Sequence, residues 1–126
     1  MIQFATYSVA DVFSAMDAPR RSKSKPVLPD GRPFKRTSGR LVLFKAKGTI
    51  CVTCGIEGTL FVLETQNADI TPHLNLYAIN ADGDRVLMTK DHILPKSKGG
   101  PNTIENYATM CSPCNAKKAD TLTVSL

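Results

Sequence analysis

A chain of 126 residues is long enough for one compact domain and too short for two full ones. It is 42% hydrophobic but only 6% aromatic and has no tryptophan, so its core is modest and gains from a staple. A net charge of +5 points to an anionic partner, and no segment is apolar and long enough to cross a bilayer.

Ser8 to Asp17 predicts a short amphipathic helix, because Val9, Val12, Phe13 and Met16 recur at helical spacing. Ser8 and Asp11 fit an N-terminal capping box in its acidic form, and the helix is expected to dock on the core. Met1 to Ala10 has neither a basic start nor a long apolar run, so a secretory signal is not expected and a cytoplasmic protein with reduced thiols is. Pro19 to Gly39 holds four prolines, two glycines and seven basic residues, which predicts a basic linker or arm. Ten of the 16 Lys and Arg residues fall between Arg20 and Lys47, against the single acid Asp30. A stretch of one sign repels itself and seeks a polyanion.

Leu41 to Lys47 fits either a strand or a helix, since a short apolar run does not settle the period. Thr59 to Glu64, Leu74 to Asn80 and Arg85 to His92 read as strands, the last two joined by the turn Asn80-Ala81-Asp82-Gly83-Asp84. Asn80, Asp82 and Asp84 alternate as calcium-loop ligands do. Arg85 and Asp91, however, stand where such a loop needs Gly and Glu, so the run is read as a turn.

All four cysteines fall in two C-x-x-C pairs, Cys51/Cys54 and Cys111/Cys114. Two such knuckles complete a tetrahedral four-thiolate site, which predicts structural zinc, and residues 55–110 are an insertion that the ion clips shut. A closed site of this kind offers no open position for water or substrate, so catalysis requires a second metal elsewhere. A zinc deaminase is excluded, because neither His73 nor His92 begins the H-x-E motif that it requires.

Asp91-His92, Gly99-Gly100, Asn106 and Cys114-Asn115 together offer the parts of a phosphodiester hydrolase. Such chemistry needs a base to activate water and hard oxygen ligands for a cation that stabilises the leaving oxygen. His92 is the candidate base, while Asp91 and the side-chain oxygen of Asn115 suit magnesium or manganese. On a strand Asp91 and His92 point to opposite faces, so both can act only if the strand end bends or faces two partners. Asn115 is expected on the first turn of a helix that runs to about Ala119.

Asp91 to Gly100, then Ile104-Glu105-Asn106, then Cys111 to Lys118 resemble the HNH endonuclease family, and the likeness extends over roughly Thr49 to Asp120. The phage enzymes that resolve branched DNA look similar at Cys114-Asn115 and in the two-knuckle layout. The resemblance implies a small α+β protein of ββα-metal fold, a hairpin and helix around one divalent ion. His92 would activate water, Asp91 and Asn115 would bind the ion, and Asn106 would brace the loop that positions His92. Products would carry 5′-phosphate and 3′-hydroxyl ends. Asn115 stands where many members have His, which favours magnesium or manganese over softer metals.

Lys96, Lys98, Lys117 and Lys118 are expected to contact phosphate, as are Arg20, Arg21, Lys35 and Arg36 of the arm. His73 reads as structural. The chain divides into a helix at 1–18, the arm at 19–40, the nuclease domain at 41–120 and a tail at 121–126. A metal-dependent DNA endonuclease is the leading reading. The alternatives are a catalytically inactive, zinc-stapled DNA-binding module and a zinc-dependent protein-interaction domain, and oligomeric state stays open.

Overall fold

The computed structural model describes residues 1–19 and 27–122. Strand β1 (Ile2–Ser8) leads into helix α1 (Val9–Asp17), helix α2 (Gly39–Lys47) and strands β2 (Gly58–Thr65), β3 (His73–Ile79) and β4 (Arg85–His92). Strand β5 (Tyr107–Cys111) and helix α3 (Ser112–Lys118) follow. The strands form one five-stranded antiparallel sheet in the order β1-β2-β3-β4-β5, so each strand pairs with its neighbour in sequence. The expected ββα unit is β4, β5 and α3, and the three strands read from sequence are β2, β3 and β4.

Local chemistry accounts for the boundaries. The Ser8 hydroxyl accepts from the Asp11 N–H at 3.0 Å and caps α1 as its spacing predicts. Asn80 closes the β3–β4 turn: its Oδ1 accepts from the Asp82 and Asp84 N–H groups at 3.0 and 2.9 Å, and Gly83 takes φ +84°. Leu41 to Lys47 resolves as helix, with Leu41, Leu43 and Phe44 buried.

Phe61 of β2 is fully buried and joins the two N-terminal helices to the sheet. Its ring meets Phe13 of α1 edge-on at 6.1 Å and Phe44 of α2 at 6.5 Å, so both helices cover one sheet face. On the same face Leu76 and Met88 fill the space above Gly58, where an added Cβ would lie 2.7 Å from Leu76.

Two strands escaped the sequence reading. β1 is a mostly exposed edge with a register shift between Gln3 and Ala5, so its alternation is weak. β5 is buried along most of its length and shows no alternation at all. The arm also differs from the expected linker. Residues 20–26 lie outside the described residues, but the stretch from Val27 to Ser38 is folded against the body. Val27 bridges Pro33, Leu28 is 1% exposed, and Phe34 packs on the core. The buried Tyr7 donates its hydroxyl to both oxygens of Asp30 at 3.0 and 2.8 Å, and Arg32 pairs with the same carboxylate at 2.6 Å. The lone acid of the basic stretch is thus its anchor.

Replacing Phe61 with Ala removes the ring that two helices share. Stability should fall by about 3–5 kcal/mol, read as a lower urea midpoint with an unchanged slope.

Candidate active site and metal centre

The first knuckle is a tight turn in which the Gly55 N–H donates to Cys51 O at 2.9 Å and Gly55 takes φ +82°. The second spans the junction of β5 and α3, with Cys111 ending the strand and Cys114 in the first turn of the helix. Two bonds dock the knuckles together: Val52 N–H to Thr109 O at 3.0 Å, and Thr109 Oγ1 to Gly48 O at 2.7 Å.

The ligand atoms of Cys51, Cys54, Cys111 and Cys114 all lie within 4.8 Å of one another, with 3.7 Å between the Cys54 and Cys111 sulfurs. A tetrahedral ion with metal–sulfur bonds of about 2.3 Å needs sulfurs roughly 3.8 Å apart, so the cluster is compatible with a metal site. Burial pushes the Cys111 and Cys114 thiols up, the latter to about 12 with the help of its neighbours. Burial also raises Cys51, but backbone N–H groups and Cys54 outweigh it and hold that thiol at about 6. Four thiolates at this range repel one another, and a bound cation relieves that repulsion.

β4 is shared between two partners. Arg85 to Leu87 pair with β3, and Met88 to His92 pair with β5, so the strand carries its last residues beyond β3. Its pleat then sorts the side chains by face. Thr89 and Asp91 face α3, where Asn115 Nδ2 donates to Thr89 Oγ1 at 3.1 Å and Lys118 Nζ lies 3.0 Å from Asp91 Oδ2. Asn115 and Lys118 are three residues apart and share a helix face, so Asp91 and Asn115 flank the same seam. Both offer hard oxygen donors of the kind that magnesium or manganese prefers. The Asp91 and Lys118 side chains are only 14% and 7% exposed, so the pair is largely shielded from solvent.

His92 faces the other way. Its ring meets Tyr107 edge-on at 5.0 Å, and its Nε2 lies 2.8 Å from Asn102 Oδ1. Lys90, on the same face, holds its ammonium 4.3 Å from the Tyr107 ring centroid. The strand end therefore faces two partners rather than bending both groups to one side.

Asn106 is buried and clamps the loop that follows His92. Its Oδ1 accepts from the Leu94 N–H at 2.9 Å, and its Nδ2 donates to Leu94 O at 3.1 Å and Pro101 O at 3.0 Å. Gly100 is buried in that clamp, and a Cβ there would collide with Leu94 O.

Lys96, Lys98 and Lys117 are exposed around this end of the sheet, whereas Lys118, expected at phosphate, sits on Asp91. Arg20 and Arg21 lie outside the described residues. Lys35 and Arg36 line a cleft of about 710 Å³ together with Arg40 and His73, and the Arg36 guanidinium also donates to Met16 O and Ala18 O. Gly39, at the edge of that cleft, lies against Lys90 of β4. Sequence reasoning missed Thr89, Asn102 and Tyr107, whose partners are fixed by strand register and loop path rather than by any local pattern.

Residues 81–125 match the family model described as HNH endonuclease. This part of the chain is similar to the HNH endonucleases. No curated protein and no solved structure gives a match. The HNH segment supports a nuclease-type function, with DNA as the family's substrate. Among the described residues no helix is long and apolar enough to cross a membrane.

Asn106→Ala should strip three backbone groups of their partners at once. We expect a loss of about 1–3 kcal/mol per group left buried and unsatisfied, with faster amide exchange at Leu94.

Proposed function

We propose that the protein is a metal-dependent DNA endonuclease that hydrolyses phosphodiester bonds with water activated by His92. One observation carries this reading: inside the HNH segment, the end of β4 presents His92 on one face and Asp91 beside Asn115 on the other. Asp91 and Asn115 are the residues that would hold a single magnesium or manganese ion, whose charge would stabilise the departing oxygen. His92 takes the proton from the attacking water, and Asn106 keeps the following loop in register with it. The four cysteines hold a structural zinc that fixes α3, and hence Asn115, against β4.

Lys96, Lys98 and Lys117 contact the DNA backbone beside the scissile phosphate, and Lys118 joins them when a divalent cation takes its place on Asp91. Arg20, Arg21, Lys35 and Arg36 extend that contact along the duplex. The folded part of the arm dictates how this is tested. Removing residues 19–39 would also remove the buried Leu28 and the Tyr7–Asp30 anchor, so alanine at Arg20, Arg21, Lys23 and Lys25 is the cleaner change.

Purified protein with supercoiled and branched DNA should cut only when magnesium or manganese is added, leaving 5′-phosphate ends. His92→Ala should lower cleavage by roughly 10²–10⁴-fold while fold, zinc content and DNA affinity persist. Full cleavage by that variant would sink the mechanism. Tight binding without cleavage by the wild type on any DNA form would favour the inactive DNA-binding module.

The two metal sites should come apart by mutation. Cys114→Ser should lose the zinc and cooperative folding together, as read by elemental analysis and a thermal melt. Asn115→Ala should keep one zinc per chain and demand a higher magnesium concentration for half-maximal cleavage.

A further inference from the structure

We infer that Asn102 is a positioning residue for His92: its side-chain oxygen holds the ring proton on Nε2 and leaves Nδ1 as the nitrogen that accepts a proton. The inference rests on the reading of His92 as the base. It starts from the 2.8 Å contact between His92 Nε2 and Asn102 Oδ1. A carbonyl oxygen can only accept, so the neutral imidazole in this contact carries its hydrogen on Nε2. A neutral imidazole has one N–H and one lone pair, so that choice fixes which nitrogen is basic.

The rest of the surroundings make Asn102 the polar half of a two-point grip. Tyr107, opposite His92 in the β4–β5 register, supports the ring edge-on at 5.0 Å and restrains its tilt. Edge-on packing does not distinguish the two flipped positions of the ring, which differ only in where the nitrogens lie. The Asn102 oxygen does distinguish them.

The loop is built to keep that oxygen in place. Asn102 follows Pro101, whose carbonyl accepts from Asn106 Nδ2 at 3.0 Å, and Asn106 O in turn accepts from the Ile93 N–H at 2.8 Å. Asn106 thus ties the backbone on both sides of the contact, next to His92 and next to Asn102. The Asn102 side chain is itself exposed and takes no part in the core, so its loss leaves the fold standing.

The test reads the tautomer and the rate separately, on the full-length zinc-loaded protein. Nitrogen-15 spectra of the imidazole should show His92 with hydrogen on Nε2 in the wild type. In Asn102→Ala that signature should give way to a mixture of both tautomers. Cleavage of a plasmid by this variant should show kcat lowered about 10- to 100-fold, the usual cost of losing an outer orienting partner. KM for DNA and the magnesium requirement should stay within about twofold, since neither involves Asn102. Asn102→Asp keeps an acceptor at the same reach and should retain the Nε2–H signature and most of kcat.

A wild-type spectrum with hydrogen on Nδ1 would overturn the inference, as would an Asn102→Ala variant with unchanged tautomer and kcat. A rise in KM with kcat intact would make Asn102 a DNA contact instead. Wild-type cleavage by His92→Ala would remove the base and the positioning role with it. That failure is distinct, because the spectra would still report the His92–Asn102 contact.

Discussion

Four thiols within 4.8 Å of one another join two stretches of backbone that residues 55–110 separate. The entropy of closing a loop grows only logarithmically with its length, so an insertion of this size adds little to the cost. An ion in such a site contributes about 10–16 kcal/mol at neutral pH in small domains, far more than the closure consumes. The clip also has a direction. Cys111 ends β5 and Cys114 lies in the first turn of α3, so holding both sulfurs sets the angle at which the helix leaves the strand. A seven-residue helix cannot hold such an orientation by itself. The seam between α3 and β4, where Asn115 meets Thr89 and Lys118 meets Asp91, therefore depends on the adjoining sulfur cluster.

Strand geometry then divides the labour within the site. Adjacent residues of a strand face opposite ways, so Asp91 and His92 cannot share one surface while β4 stays regular. The structure keeps the strand regular as far as His92 and supplies each face with its own partners. Asp91 and Thr89 meet the helix; the imidazole meets a ring and a loop. On the helix side, the Lys118 ammonium is paired with the Asp91 carboxylate, which is only 14% exposed. A shielded pair of this kind is weak evidence for stability.

The four-thiol cluster was legible from residue types and spacing, because the thiol pairs are short, local patterns. The same was true of α1, whose cap and period lie within one stretch, and of β2, β3 and β4. The remainder was illegible for physical reasons. β5 is buried along most of its length and carries no alternation to read. Asn102 reaches His92 only because the loop after β4 doubles back, and that path is set by Asn106 and Gly100 together. Composition misled once, over the arm. Proline and glycine from Pro29 to Pro33 do make a turn, but Leu28, Phe34 and the Tyr7–Asp30 bond tie that turn to the core.

The HNH segment, residues 81–125, is not self-sufficient in this chain. Its two cysteines supply half of the four-thiol cluster, and Cys51 and Cys54 supply the other half from outside the segment. Its first strand begins on β3 and ends on β5, so without β3 the residues from Arg85 to Leu87 would present an unpaired edge. Met88, 1% exposed, packs beside Leu76 over Gly58, which ties β4 into the core that α1 and α2 cover. Lys47, from α2, donates to Tyr107 O at 2.7 Å and pins the start of the strand that supports His92. The N-terminal half is thus the frame against which a short motif acquires a fixed geometry. Positions such as Gly58, Phe61 and Lys47 bear on the placement of β4 and β5 although they lie outside the HNH segment.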